Sequence, residues 1–284
     1  MNLPKLSIII PCYNHERYVL ACLKTIRGSY QGEIEVVICD DKSRDDSLRV
    51  IEEYIEDSFE ENISYILLSH TINQGITKTL NECISHSTSD YIYVIASDDY
   101  LLRDGLTTAM NTLLKSSADA VISDCEVVDD EGAPMYRSAF FEYRSSSLSK
   151  LRTNISDELV FNWVVPGPAL LQKKSVFKSL NGYNQSLIAE DRDYYLRMLA
   201  TKKVVFNEKA IACYRVHRNN ASRSQEYLSK ARKEFSTVNY NARNLYNGIA
   251  RCYLNTYWFD LHNFPKFLVS KLRKLIKMFY LLRG

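Results

Sequence analysis

The chain has 284 residues, of which 46% are hydrophobic and 25% charged, and its formal net charge is +2. This composition is ordinary for a soluble globular protein, and the length accommodates one large α/β domain or one domain with a smaller appendage. The charge is unevenly distributed, because residues 215–284 contain 14 Lys and Arg but only 3 Asp and Glu. A basic tail on an acidic body favours an anionic partner, either a membrane surface or a nucleic acid.

The cysteines and the apolar segments indicate the cellular setting. The seven cysteines are odd in number and show no CxxC spacing, which argues against a disulfide framework or a zinc site. We find no signal-peptide pattern and no segment with the roughly 18–20 apolar residues that span a bilayer. We therefore expect a cytoplasmic protein in a reducing environment.

Apolar runs alternate with helical spacings through the first part of the chain. The predicted strands cover 6–14 (ending in a loop), 34–39, 63–68, 91–96 and 120–123, and the predicted helices cover 15–26, 45–55, 77–85 and 106–114. This alternation predicts an α/β fold with a mainly parallel sheet and helices on both faces. In such sheets ligands bind outside the carboxyl ends of the strands.

The second half of the chain is less regular. Residues 129–132 predict a turn between strands, and the polar, serine-rich residues 137–160 predict a loop. An apolar run follows at 164–172 and a helix within 187–199, and beyond Tyr214 the pattern is largely helical and basic. We therefore predict a catalytic domain over 1–220 and a basic helical C-terminal region over 221–284.

Two pairs of aspartates follow predicted strands of this sheet. Asp98 and Asp99 come after the fourth strand, and Asp40 and Asp41 come after the second. Paired carboxylates with open coordination positions suit Mg²⁺ or Mn²⁺ bridging a diphosphate, although a solvated acidic turn shows the same pattern. A carboxylate at the second strand can accept hydrogen bonds from a base or a ribose, although loop acids and helix caps also occur there. Two such pairs would repel each other without a cation or hydrogen-bond donors nearby.

Glu190, Asp191 and His217 are the other chemically interesting residues. Glu190 and Asp191 begin a predicted helix, where a carboxylate could accept a proton from an attacking hydroxyl. The helix dipole alone also favours acids at that position. His217, between Arg215 and Arg218, is either a metal ligand or phosphate contact, with the arginines pairing phosphate, or a structural histidine among surface charges.

Taken in chain order, these segments resemble the inverting family 2 glycosyltransferases of the GT-A fold. The matching segments are SIIIPCYN at 7–14, EVVICDDKSRDD at 35–46, Asn73 and Gly75 with Asn81, the D-x-D-type triplet at 97–99, AED at 189–191 and YRVH at 214–217. The resemblance covers roughly residues 5–220. One departure is Ser97, which stands where the triplet has its first aspartate.

The resemblance implies a role for each matching position. The nucleotide-sugar-binding positions would be Pro11, Tyr13, Asp40, Asp41, Asn73, Gly75 and Asp98. The ligands of a divalent metal, Mn²⁺ or Mg²⁺, would be Asp98, Asp99 and His217. Asp191 would be the general base with Glu190 as its supporting neighbour. The implied reaction is a single displacement, in which an acceptor hydroxyl attacks the anomeric carbon of a nucleotide sugar, for example a UDP-sugar, and configuration inverts.

Residues 264–282 predict an amphipathic helix. One face carries Phe264, Leu268, Leu272, Leu275, Ile276, Phe279 and Leu282, and the other carries Lys266, Arg273, Lys274 and Lys277. This pattern is typical of a helix in the interface of an anionic membrane, although a helix packed on the catalytic domain is also amphipathic. The membrane interpretation implies a peripheral enzyme at the inner face of the cell membrane. Its acceptor would be a glycan linked to polyprenyl diphosphate, as in O-antigen or capsule assembly.

Two other functions remain open from the sequence. A nucleotidyltransferase also combines an α/β nucleotide fold with metal-binding carboxylates, but the loop after the first strand has no glycine. A nucleic-acid-binding protein would use the basic C-terminal helices together with exposed aromatics, whereas many aromatics here are in phase with the apolar pattern. We therefore expect no nucleic-acid partner. The absence of GxxxxGK[ST], GxGxxG and GxSxG segments weakens nucleotide hydrolysis, hydride transfer and α/β-hydrolase chemistry.

Overall fold

The computed structural model describes residues 3–58, 60–218, 220 and 225–282, with only the backbone described at 225–229. The strands are β1 (Leu6–Cys12), β2 (Ile34–Asp40), β3 (Ile63–Ser69), β4 (Tyr91–Val94), β5 (Tyr100–Leu101), β6 (Ala120–Val128), β7 (Pro134–Tyr136), β8 (Leu170–Lys173) and β9 (Val204–Arg215). The helices are α1 (Val19–Ile26), α2 (Ser47–Asp57), α3 (Ile76–His86), α4 (Gly105–Ser116), α5 (Leu148–Phe161), α6 (Lys174–Ser179), α7 (Glu190–Thr201), α8 (Gln225–Ala242), α9 (Gly248–Asn255), α10 (Tyr257–Leu261) and α11 (Lys266–Leu282).

Within the described residues the strands form one sheet in the order β3-β2-β1-β4-β8-β6-β9-β5, with β7 paired to β6. The pairings among β1, β2, β3 and β4 are all parallel. Every residue of β1 and β2 is buried, as expected for parallel strands covered on both faces. The predicted alternation is thus confirmed for this half, while β8 runs antiparallel to both β4 and β6 and makes the other half mixed.

The prediction of a loop over 137–160 was wrong. Residues Ala139–Tyr143 form a short π-helix and α5 follows at Leu148. The Ser147 side chain caps α5 by accepting a hydrogen bond from the Lys150 amide, and Leu151, Ile155 and Leu159 bury one face at helical spacing. Of the serines that suggested a loop, Ser138 and Ser147 are helix caps, while Ser145 and Ser146 lie between the two helices.

The C-terminal helices pack on the catalytic half through a second apolar cluster. This cluster joins Phe161 of α5 and Leu196 of α7 to Val238 of α8, Leu254 of α9 and Tyr280 of α11. The division at residue 220 remains a prediction, since the cluster combines side chains from both sides of it. None of the described helices is long and apolar enough to cross a bilayer.

Candidate active site

A cleft of about 2380 Å³ opens at the carboxyl ends of the parallel strands. The predicted site residues that line it are Pro11, Tyr13, Asp41, Asn73, Gly75, Asp98, Asp99, Glu190 and Asp191. Asp40 ends β2 beside Asp41, and His217 contacts Asp98. The structure thus brings all the predicted positions to one region of the molecule, as expected for residues that follow parallel strands.

Asp41 stabilises the loop after β3. Its Oδ1 accepts hydrogen bonds from the Gln74 amide and from His70 Nδ1, both at 2.7 Å, and its Oδ2 accepts one from the Gly75 amide at 2.8 Å. The Asn73 side chain donates to the Asp41 carbonyl at 3.0 Å. Both carboxylate oxygens are therefore used within the protein, and Asp41 shapes the wall of the cleft.

Gly75 is required by its backbone conformation. Its φ is +86°, in the region that favours glycine, and a side chain there would meet no atom within 4 Å. The constraint is therefore conformational rather than steric. The Gly75 carbonyl accepts a hydrogen bond from Thr79 Oγ1 at the start of α3, so this turn connects the loop to the helix.

Asp40 has a carboxylate oxygen without a partner. Oδ2 accepts a hydrogen bond from the Ser43 amide at 3.0 Å, but Oδ1 is buried and makes no hydrogen bond. An unpaired buried acceptor is costly unless a ligand supplies the missing donor. The N–H of a nucleotide base is a donor of the required kind.

Asp98 lies between two histidines. His217 Nε2 donates to Asp98 Oδ2 at 2.9 Å, and His15 Nε2 is 3.8 Å from the same oxygen. One ligand atom from each of His15, Asp98 and His217 lies within 4.8 Å of the others. Burial raises the pKa of Asp98, but the bond from His217 and the nearby histidines outweigh it and lower the pKa overall. The three side chains could hold a divalent ion through two nitrogens and one oxygen.

His15 is the site residue that the sequence analysis did not identify. Its Nδ1 is 2.8 Å from Ser97 Oγ, which is fully buried. The serine at the unexpected position of the D-x-D-type triplet thus orients His15, as hydrogen bonds from outside the ligand set commonly do at metal sites. His15 could have been identified from its position three residues after β1, because that strand end lies at the same edge of the sheet as the aspartates.

Asp99 has a different environment from Asp98. Its Oδ1 accepts a hydrogen bond from the Arg215 amide at 2.8 Å, and its side chain is almost completely buried. Burial, together with the charge of Asp98, raises the pKa of Asp99 well above its usual range. Its carboxylate is outside the three-residue group, so its role as a metal ligand remains a prediction.

Glu190 and Asp191 form the acidic pair at the start of α7. Burial and the neighbouring Asp191 charge raise the pKa of Glu190 to about 8. Burial also raises the pKa of Asp191, partly opposed by the hydrogen bond from the Arg192 amide and the charge of Arg192. A pKa of about 8 keeps Glu190 protonated at neutral pH, which leaves Asp191 as the candidate proton acceptor of the pair.

Arg192 fixes the start of α7. Its guanidinium is buried and donates to the Leu159 and Val160 carbonyls and to Asn239 Oδ1 of α8. The amides of the preceding residues 188 and 189 donate to the Glu234 carboxylate, at 2.8 and 3.1 Å. Helix α8 thus holds the acidic pair in place through direct hydrogen bonds to the start of α7.

Comparisons with known proteins identify the family. A family model described as glycosyl transferase family 2 matches residues 7–178, more than half of the chain. The chain belongs to glycosyl transferase family 2. This membership favours the glycosyltransferase prediction over the nucleotidyltransferase and nucleic-acid-binding alternatives.

The glycosyltransferase is similar to several bacterial proteins that are named as glycosyltransferases. It is 23% identical to glycosyltransferase GlyG of Streptococcus pneumoniae serotype 4, over 80% of this chain and 76% of that protein. It is 24% identical to GlyA of the same organism, over 77% of this chain and 32% of that protein. The poly(ribitol-phosphate) beta-glucosyltransferase of Bacillus spizizenii is 27% identical, over 79% of this chain and 34% of that protein. The chain thus spans about a third of the length of GlyA and of the Bacillus spizizenii enzyme.

Solved structures confirm the fold. The glycosyltransferase matches S. aureus TarS 1-349 in complex with UDP-GlcNAc with a TM-score of 0.64 at 20% identity, covering 91% of this chain and 72% of that chain. It matches the mannosyltransferase PcManGT from Pyrobaculum calidifontis, in complex with GDP-Man and Mn²⁺, with a TM-score of 0.64 at 17% identity, covering 89% and 70%. The predicted GT-A fold is confirmed.

Proposed function

We propose that this enzyme transfers a sugar from a nucleotide sugar, such as a UDP-sugar, to a hydroxyl of a glycan acceptor, with inversion, in the assembly of a bacterial surface polysaccharide. The observation that carries the proposal is one cleft with a nitrogen–oxygen ligand group at one wall and a proton-accepting carboxylate, Asp191, at another. A displacement at an anomeric centre needs both charge stabilisation for the leaving diphosphate and a base for the attacking hydroxyl.

The donor nucleotide fits the end of the cleft near β1 and β2. Tyr13 is 37% exposed there and can stack on a base, and the unpaired Oδ1 of Asp40 can accept a hydrogen bond from it. Two of the similar structures are complexes of those proteins with UDP-GlcNAc and with GDP-Man. These observations support a nucleoside diphosphate sugar without selecting the sugar.

His15, Asp98 and His217 would hold the divalent ion. Imidazole ligands suit Mn²⁺ better than Mg²⁺, which prefers an all-oxygen environment. A bound ion would supply positive charge to the leaving diphosphate. The two histidines therefore favour Mn²⁺ among the two metals that the sequence analysis proposed.

Asp191 accepts the proton in this proposal. As the acceptor oxygen forms its bond to the anomeric carbon, its proton passes to the Asp191 carboxylate, and the carbon–oxygen bond to the diphosphate breaks on the opposite face. Glu190 stays protonated beside it, so the pair holds only one negative charge before transfer. The product would have the anomeric configuration opposite to that of the donor.

The C-terminal helix supports a membrane-linked acceptor. The described part of α11 exposes Phe267, Leu268, Leu275 and Phe279, each between 47% and 62% accessible. A helix that packs on the rest of a protein buries its apolar face there, whereas a helix that binds a membrane interface presents that face to the lipid. We accordingly propose peripheral attachment to the inner face of the cell membrane and an acceptor linked to polyprenyl diphosphate.

The test compares two aspartates of the same helix. Asp191→Asn should lower transfer by roughly 10²–10⁴-fold, the usual contribution of a general base, while nucleotide-sugar binding measured by calorimetry is retained. Asp193→Asn is the matched control, because Asp193 is paired with Arg197 and does not line the cleft. The assay scores nucleoside diphosphate release from a panel of UDP-sugars with Mn²⁺ and a synthetic lipid-diphosphate sugar. Full turnover by Asp191→Asn would rule out this base.

A further inference from the structure

The part of the cleft that is lined by the C-terminal helices is basic, whereas the part where we place the donor is acidic. The cleft-lining residues contributed by α8, α10 and α11 include six cations, Arg232, Lys233, Lys266, Arg273, Lys274 and Lys277, but only one acid, Asp260. The face of α11 that was expected to meet lipid headgroups therefore lines the same cleft as Asp191.

Two of these cations have partners within the protein. Arg273 donates to Asp260 Oδ2 at 2.5 Å and to Thr256 Oγ1 at 2.8 Å, and Lys277 donates to Asn162 Oδ1 at 3.0 Å. Burial lowers the pKa of Lys277. These two side chains hold α11 against the body of the enzyme.

The other four cations form what we call the basic wall: Arg232, Lys233, Lys266 and Lys274. All four are exposed, and among the described residues their side chains make no hydrogen bond or ion pair. All four line the same cleft, and a bound anion would offset the repulsion among their charges. Lysine and arginine donors are also the usual ligands of phosphate oxygens.

The surroundings of the basic wall indicate what kind of anion it binds. Val269, Phe264 and Tyr257 line the cleft beside it, and the exposed apolar face of α11 adjoins it around the helix. A free phosphate would use only the cations. A phosphate attached to an apolar chain would contact the cations through its phosphate and the apolar face of α11 through its chain.

We propose that the basic wall binds the phosphate or diphosphate group of a lipid-linked acceptor, and so presents the acceptor hydroxyl to Asp191. This inference rests on the proposed function for the identity of its ligand as an acceptor. The physical claim, a subsite for an amphipathic phosphate, can be measured without any sugar transfer.

The test compares two lysines of α11. Lys274 lines the cleft, whereas Lys271 is exposed outside it, with its ammonium 6.0 Å from the Phe267 ring centroid. Binding of farnesyl diphosphate is measured in metal-free buffer with excess UDP, so that the donor end does not compete for the probe. Lys274→Gln should weaken binding about tenfold, as expected for the loss of a charge-assisted hydrogen bond, and Lys271→Gln should leave it unchanged. Farnesol should not compete.

A second arm separates acceptor phosphate from lipid headgroups. The same variants are sedimented with phosphatidylcholine vesicles with and without phosphatidylglycerol. Equal farnesyl diphosphate affinity in wild type and Lys274→Gln would overturn the proposal, and so would equal losses in both variants. Loss of phosphatidylglycerol binding alone in Lys274→Gln would assign the wall to headgroups instead. Nucleotide-sugar turnover, scored separately, shows whether the proposed transferase function fails independently.

Discussion

Glu190 and Asp191 are adjacent in the chain, and burial raises the pKa of both carboxyl groups. Burial disfavours the charged form of both, and the charge of Asp191 adds to the effect at Glu190. Because the two groups are close, they share a proton rather than both ionising. Above about pH 8 Glu190 ionises and adds negative charge at the start of α7, where the proposed mechanism places the acceptor hydroxyl.

This difference predicts the alkaline limb of the pH–rate profile. Wild-type transfer should fall above about pH 8 as Glu190 ionises, because the second charge destabilises an anionic acceptor in the same cleft. Glu190→Gln should keep its activity near neutral pH, and its rate should no longer fall above about pH 8. The rates of both proteins and of Asp193→Asn are measured as a function of pH. An unchanged alkaline limb in Glu190→Gln would assign it to another group.

His70 is held between two carboxylates. Its Nδ1 donates to Asp41 Oδ1 at 2.7 Å and its Nε2 to Glu82 Oε2 at 2.9 Å, while Cys39 Sγ is 3.5 Å from Nε2. Ionised carboxylates only accept hydrogen bonds, so two such partners favour the imidazolium form, in which both ring nitrogens carry protons. Burial lowers the pKa of His70, but the hydrogen bonds to Asp41 and Glu82 outweigh it and raise the pKa overall.

The raised pKa gives a stability effect with a definite sign. Since folding favours the protonated ring, the stabilisation is fully present below the ordinary histidine pKa of about 6.5 and is lost as pH rises through the folded-state value. His70→Gln should therefore destabilise the protein most at low pH, with a difference that shrinks at alkaline pH. Urea unfolding at several pH values measures it. His86→Gln, at an exposed histidine of α3, is the control, and a pH-independent difference for His70→Gln would contradict the imidazolium.

At the scale of elements, α7 and α8 are joined by a buried charge. Asn239 Oδ1 accepts from Arg192 Nη2 at 2.7 Å and from Nε at 3.2 Å, and its own Nδ2 donates to the Phe235 carbonyl at 2.7 Å. A buried guanidinium is tolerated only when its donors are satisfied. Helix α8 therefore sets the orientation of the acidic pair at the start of α7.

Removing the Asn239 side chain should show how much its hydrogen bonds to Arg192 contribute to stability. Asn239→Ala should lower the free energy of unfolding by about 2–3 kcal/mol, the usual cost of losing hydrogen bonds to a buried charged group. Asn241→Ala changes an exposed residue of the same helix and should stay within about 0.5 kcal/mol of wild type. Midpoints of urea unfolding give both values. Equal stability of the two variants would mean that Arg192 finds another acceptor.

At the scale of the whole molecule, α11 combines three surfaces. Val269 and Tyr280 are buried, Lys266, Arg273, Lys274 and Lys277 line the cleft, and a broad apolar arc is exposed. Such an arrangement would bring the mouth of the cleft to the surface of a membrane. An enzyme so placed could reach a sugar on a lipid carrier without a membrane-spanning segment in the described residues.

The outward arc predicts membrane binding that depends on apolar contacts. Leu275→Ser/Phe279→Ser should lower sedimentation with phosphatidylglycerol-containing vesicles by at least about tenfold, because each side chain contributes on the order of 1 kcal/mol even when only partly inserted. Leu114→Ser removes an exposed leucine of α4 and should have no effect. If all three proteins sediment equally, the apolar arc does not contact the membrane.

The sequence alone determined the features that depend on local patterns. The order of β1 to β4, the acids at their carboxyl ends and the amphipathic α11 were all predictable, because strand periodicity and helical spacing involve residues close in the chain. The loop predicted over 137–160 was wrong because composition outweighed the spacing of Leu151, Ile155 and Leu159 there. Strand β9 was missed within a region described only as irregular.

Only the tertiary structure decided which distant residues meet. The family resemblance had already grouped Asp98 with His217, but His15 is 82 positions from Ser97, and no pattern in the sequence paired them. Lys266, Arg273, Lys274 and Lys277 line the cleft because Val269, Ile276 and Tyr280 fix the rotation of α11 against its neighbours. Spacing defines the faces of an amphipathic helix, but packing decides what each face meets.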